Sequence, residues 1–225
     1  MGKIAIILGA TGATGNLLVK TLISDSRYDK IKLFSRSSAG ISSIKVEEYL
    51  TDLFELEKCS EDFTGDEVFC CIGTTKSKTP DEETYRKIDY GIPVAAAKLA
   101  RKNNINTFIV MSALGADVNS SIFYNRTKGE MQRDVAAAAV PKTYILQPSL
   151  ILAERDETRV MEKVAAGFMW LINPLLIGGA AKFKSIKAKT IAKAMIWLAN
   201  NKYDEVIVTS DKLQKLGSKY LRFPG

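Results

Sequence analysis

Lys3-Ile4-Ala5-Ile6-Ile7-Leu8-Gly9-Ala10-Thr11-Gly12-Ala13-Thr14-Gly15-Asn16-Leu17-Leu18 decides how this chain is read. A short apolar run ends in three glycines spaced by three, and an apolar helical pattern follows. That order predicts a buried strand, a tight turn and a helix start. Each glycine has its own task. Gly9 can take backbone angles closed to other residues. Gly12, with no side chain, lets a pyrophosphate approach the main chain, and Gly15 lets the helix pack closely on the strand. An anion held there meets the amides and the positive end of the helix dipole. A bare G-x-x-G-x-x-G arises by chance, but directly after the first strand it points to a dinucleotide site.

Outward from that stretch, strands and helices alternate. A helix over 13–23 is expected to bury Leu17, Leu18, Thr21 and Leu22. Strands are expected over 31–36, 44–50, 68–72, 107–112, 143–148 and 206–209. Helices are expected over about 81–102, bent or broken at Pro93, and over about 124–139, 158–172 and 188–199. This spacing implies an α/β fold with a doubly wound parallel sheet, an NAD(P)-binding Rossmann fold. A single domain is expected over 1–225, with the part from about 150 onward forming a small substrate-side extension.

In such a sheet, ligand-binding residues gather where the strands end. Arg36 and Ser37 lie at the end of the second strand with no acid nearby. An acid there would bind the ribose 2′-hydroxyl of NAD, whereas a guanidinium pairs with the 2′-phosphate of NADP. NADP(H) is therefore favoured over NAD(H). Asp52 and Leu53 follow the third strand, a position this fold often places beside the adenine. Gly73 and Thr74 close the fourth strand at the cofactor crevice.

Ser112, Tyr124 and Lys128 are the candidate catalytic set. Tyr124 and Lys128 are four apart and share a helix face. A phenol titrates near 10 in water, and a nearby ammonium is expected to bring that value down. Tyr124 can then exchange a proton while Ser112, at a strand end, hydrogen-bonds a substrate carbonyl. Y-x-x-x-K alone is common. A serine twelve residues upstream and a glycine-rich turn at the start of the chain make the combination far more specific.

The bulk numbers narrow the alternatives. The chain has 225 residues, 46% of them hydrophobic, enough for one full core. Its three cysteines, Cys59, Cys70 and Cys71, are odd in number, and the adjacent pair should point to opposite faces of a strand. A reduced, cytoplasmic protein without a signal peptide is expected. Histidine is absent, which disfavours His-based triads, and no metal site is expected. The stretch 164–181 is the most membrane-like, but Asn173, Pro174 and a Gly178-Gly179 pair interrupt it, so no membrane insertion is expected. The net charge of +7 is uneven: 22 basic and 22 acidic residues over 1–180, against 10 and 3 over 181–225. That basic segment is a possible surface for a protein partner. No nucleic-acid partner is expected, because no aromatic interleaving accompanies the lysines.

Taken together, Leu8 to Gly15, Cys70-Cys71-Ile72-Gly73-Thr74-Thr75, Ser112-Ala113-Leu114-Gly115-Ala116, Tyr124-Asn125-Arg126-Thr127-Lys128-Gly129-Glu130 and Gln147-Pro148-Ser149-Leu150-Ile151-Leu152 resemble the short-chain dehydrogenase/reductase superfamily, in its atypical or extended branch. The chain looks most similar to the Tat-interacting-protein family of NADP-binding oxidoreductases. The resemblance implies that Thr11, Gly12, Ala13 and Thr14 hold the pyrophosphate and that Arg36 and Ser37 meet the 2′-phosphate. It also implies Ile72 and Gly73 by the adenosine half, Tyr124 and Lys128 by the nicotinamide ribose, Ile151 near the nicotinamide, and Arg159 reaching back to the cofactor; Pro148 is expected among the cofactor-binding residues. The expected function is NADP(H)-dependent hydride transfer to or from a small carbonyl or alcohol. The alternatives are an NADP(H)-sensing regulatory protein without turnover, and a nucleotide-sugar epimerase or dehydratase.

Overall fold

The computed structural model describes residues 2–152 and 182–220. In chain order the strands are β1 (Lys3–Leu8), β2 (Tyr28–Ser35), β3 (Val46–Leu50), β4 (Glu67–Cys70), β5 (Thr107–Met111), β6 (Lys142–Gln147), β7 (Ile151–Leu152), β8 (Ile186–Lys187) and β9 (Ile207–Thr209). Seven of them form one sheet in the order β3-β2-β1-β4-β5-β6-β9, every neighbouring pair parallel. The short β7 and β8 pair separately. The strand order reverses between β1 and β4, and a doubly wound sheet opens its ligand crevice at such a point.

The helices are α1 (Ala13–Ile23), α2 (Glu82–Arg86), α3 (Ile92–Lys102), α4 (Phe123–Ala137), α5 (Ala188–Asn200) and α6 (Ser210–Tyr220). They cover both faces of the sheet. Ala5 and Ile7 of β1 pack with Leu18 and Leu22 of α1, Ile191 and Met195 of α5 and Leu213 of α6. Ile6 and Leu8 point the other way and pack with Val94 and Leu99 of α3 and Met131 and Val135 of α4. Parallel strands buried on both sides need apolar residues at every position rather than at alternate ones, which is why β1 reads as a continuous apolar run. Cys70 and Cys71 fall on opposite faces of the sheet, as strand alternation requires.

Three sequence expectations shift. The third strand starts at Val46 rather than 44, because Ile44 is fully exposed on the approach to an edge strand. The late strand is the seventh member of the main sheet, beside β6. The helix expected over 81–102 is α2 and α3 joined by one π turn, Lys87–Gly91. Pro93 accounts for the break: it lacks an amide to donate, and its ring crowds the carbonyl four residues back, that of Asp89. The expected helix over 158–172, Arg159 and the stretch 164–181 lie outside the described residues. Among the described residues no helix is long and apolar enough to cross a membrane.

Candidate active site

The first turn has the geometry its glycines call for. Gly9 has φ +86°, a left-handed conformation costly for any other residue. A Cβ on Gly15 would stand 2.1 Å from the Gly9 carbonyl oxygen, so no side chain fits where α1 crosses the turn. Gly12 is the N-cap of α1 and offers no side-chain oxygen to the first amides, and the first turn carries no acid. The start of α1, with Thr11, Ala13 and Thr14, is therefore a cradle of main-chain donors suited to a pyrophosphate.

The other expected cofactor residues among those described collect along the same C-terminal edge of the sheet. Arg36 and Ser37 are exposed just past β2, and the Ser35 hydroxyl donates to the Ser37 carbonyl at 2.8 Å, shaping that corner. Asp52 accepts the Phe54 amide at 3.0 Å and caps a short 3₁₀ helix, Leu53–Cys59. The Leu53 side chain is buried in the core, so any contact with an adenine falls to its main chain. Ile72, Gly73 and Thr74 follow β4. Pro148 is buried, its carbonyl accepting the Leu114 amide, and the half-buried Ile151 packs at the edge of the core.

Lys128 sits deep in this edge. Its Nζ lies 2.6 Å from Oδ1 of Asp89, with side-chain exposures of 4% and 0%. The second oxygen of Asp89 accepts the Thr74 amide at 2.7 Å, so one carboxylate holds both the lysine and the loop after β4. Gly73 lies alongside: a Cβ there would be 3.6 Å from Asp89 Oδ1 and 3.9 Å from Lys128 Nζ. Asp89 belongs to the π turn forced by Pro93, a kind of helix irregularity often found at functional sites. Motif spacing did not reveal it, because it lies far from Tyr124 and Lys128 in sequence.

Ser112 is buried immediately beyond β5. Gln132 Nε2 donates to its Oγ at 2.6 Å, and Gln147 Nε2 donates to Gln132 Oε1 at 3.1 Å. Gln132 is the next α4 residue on the Tyr124–Lys128 face, four beyond Lys128. That i, i+4 continuation was the available signal for it. The chain of donors runs towards Ser112 and leaves the serine proton to point elsewhere.

Tyr124 is 39% exposed at the start of α4, yet the protein around its hydroxyl pushes the phenol up to about 12, first by burial and then through the Asp89 charge. This corrects the expectation that Lys128 would lower the phenol's pKa: the ammonium is held by Asp89, and the net effect is upward. Tyr124 also borders a cavity of about 220 Å³ that it shares with Tyr85, Phe123, Ile122 and Pro80.

Within the described part of the basic C-terminal segment, α5 and α6 bury their apolar faces on the sheet. Lys187, Lys189 and Lys193 line an open groove between the two helices.

Residues 9–164 match the family described as NAD(P)H-binding. Protein FMP52-1, mitochondrial, from Scheffersomyces stipitis is 34% identical over 160 residues, covering 69% of this chain and 70% of that one. Protein HTATIP2 from Rattus norvegicus is 28% identical over 198 residues, covering 86% and 80%. Among solved structures, a UDP-N-acetylglucosamine 4-epimerase from Methanobrevibacter ruminantium superposes with a TM-score of 0.69 at 17% identity, covering 99% of this chain and 83% of that one, a likeness of fold alone. The fungal FMP52 relatives are named mitochondrial proteins, which overturns the cytoplasmic expectation. The unpaired cysteines that prompted it fit any reducing compartment and do not single out the cytosol. With the glycine turn, the doubly wound parallel sheet and these relatives in agreement, the chain belongs to the NAD(P)H-binding family, in the atypical short-chain dehydrogenase/reductase group.

Proposed function

We propose that the protein is an NADP(H)-dependent oxidoreductase that reduces a small carbonyl compound, with Tyr124 as proton donor. The observation that carries the reading is the place of the phenol: Tyr124 borders a cavity and lies one helical turn before Lys128 on the same helix. A phenol is protonated at neutral pH and can donate to a carbonyl oxygen there. The amides of the first turn would hold a reduced dinucleotide, which would supply a hydride to the carbonyl carbon and itself become oxidised. Ser112, whose oxygen already accepts from Gln132, donates its own proton to the same carbonyl oxygen and orients it. In this reading Lys128 meets the nicotinamide ribose and Arg36 the 2′-phosphate, with Ser37 beside it. A proton from solvent then restores the phenol, so each turnover consumes one hydride and one proton and releases an alcohol. By analogy with the fungal relatives' names, we place the protein in mitochondria; fractionation of cells expressing the tagged chain checks this.

Fluorescence titration with NADPH and NADH tests the cofactor assignment. NADPH binds more tightly, and Arg36→Ala narrows the gap; equal affinities in the unaltered protein contradict the preference. Tyr124→Phe keeps NADPH binding within about threefold and abolishes reduction of any carbonyl compound that the unaltered protein turns over. Full activity in that variant removes Tyr124 from the role.

A further inference from the structure

We infer that the cavity beside Tyr124 is the substrate subsite and that it takes a small, uncharged, apolar aldehyde or ketone. This rests on the carbonyl reduction proposed above and adds the class of substrate. The walls are hydrocarbon. Tyr85 and Phe123 meet edge to face with ring centroids 5.6 Å apart, and Tyr85 and Tyr124 do so at 6.3 Å. Tyr85 is almost fully buried and directs its hydroxyl to the Thr74 carbonyl oxygen at 3.4 Å, so the cavity meets its ring. Ile122, 59% exposed, and Pro80 complete the apolar side.

The polar groups at the rim are already occupied. Lys76 Nζ and Glu82 Oε1 are 4.0 Å apart and largely exposed, so the rim carries one charge of each sign and no net charge from this pair. The Thr79 hydroxyl is bonded to that of Thr74 at 2.9 Å. A phosphate or carboxylate entering here would lose water against hydrocarbon and meet an acid as well as a lysine at the rim. A sugar would bury several hydroxyls without partners, at about 1–3 kcal/mol each. A flat apolar ring instead gains edge-to-face contacts and burial. At about 220 Å³ the cavity is larger than the roughly 150 Å³ apolar cavity that takes benzene, which leaves room for one ring bearing a carbonyl, the size of a benzaldehyde. The lining therefore argues against a nucleotide sugar as substrate, although the sheet is shared with epimerases.

Saturation-transfer NMR with benzyl alcohol and with UDP-glucose, each with and without saturating NADPH, tests the assignment. Benzyl alcohol is expected to bind and UDP-glucose not. Ile122→Asp, a change at an exposed wall position, is expected to weaken benzyl alcohol at least tenfold while NADPH affinity and the melting temperature stay put. Tighter binding of UDP-glucose, no binding of benzyl alcohol, or indifference of benzyl alcohol to Ile122→Asp would overturn the assignment. NADPH affinity is read separately by its own fluorescence. Its loss would defeat the oxidoreductase reading, whereas NADPH binding without benzyl alcohol binding defeats only the substrate class.

Discussion

Asp89 is the residue on which the site turns. A carboxylate with no solvent exposure is stable only if it is paired and hydrogen-bonded, and Lys128 and the Thr74 amide meet both needs. Removing the cation leaves a buried anion, so Lys128→Met should lower stability by about 3–5 kcal/mol. The double change with Asp89→Asn should recover most of that loss. Urea unfolding of the two variants gives the values, and an unaltered midpoint for Lys128→Met would dismiss the buried pair. Asp89 also acts on Tyr124. Its charge is the second cause of the raised phenol, so Asp89→Asn should move that phenol down from about 12. Absorbance titration, taken as the difference from a variant that also carries Tyr124→Phe, isolates the shift. Tyr124, Lys128 and Ser112 were legible in the sequence because motif spacing carries them. Asp89 and Gln132 were not, since their roles come from contacts that the π turn and the α4 face create.

Among the elements, the turn from β1 into α1 was the most legible, because its constraint is local. The two inner glycines separate folding from binding. Gly15→Ala forces a Cβ to 2.1 Å from a carbonyl oxygen and should cost about 3 kcal/mol by overpacking. Gly12→Ala meets the same oxygen at 3.3 Å, a contact that a small adjustment relieves. It should leave the fold nearly intact and weaken NADPH, because the new methyl stands where we propose that the pyrophosphate approaches. Thermal melts and NADPH titration of both variants check the contrast; equal stability losses would contradict it. The break at Pro93 was legible as a break, but its form was not. A proline announces that an amide is missing and a carbonyl crowded; only packing decides that the chain widens into a π turn and carries Asp89 inward.

At the scale of the molecule, the sheet order follows from alternating strands and helices, whereas compartment does not follow from composition. A second global property is the behaviour of the tyrosines. All eight phenols are raised above their ordinary value of 10, with burial the leading cause for most and the Asp134 hydrogen bond for Tyr90. The fold keeps these groups protonated at pH values where the unfolded chain has already lost its protons. The phenols' contribution to stability is therefore full below about pH 10 and falls as pH rises above it. Melting temperatures between pH 8 and 11 should be level at first and then drop; a rise above pH 10 would contradict the burial of the phenols.

The central claim is that one dinucleotide lies across the first turn with its reactive ring beside Tyr124 and Lys128. A crystal structure of the protein grown with NADPH measures this most directly. Pyrophosphate density is expected against the amides of residues 11–14, and the nicotinamide at the mouth of the Tyr124 cavity. Density for the dinucleotide elsewhere, or a nicotinamide turned away from Tyr124, would contradict it.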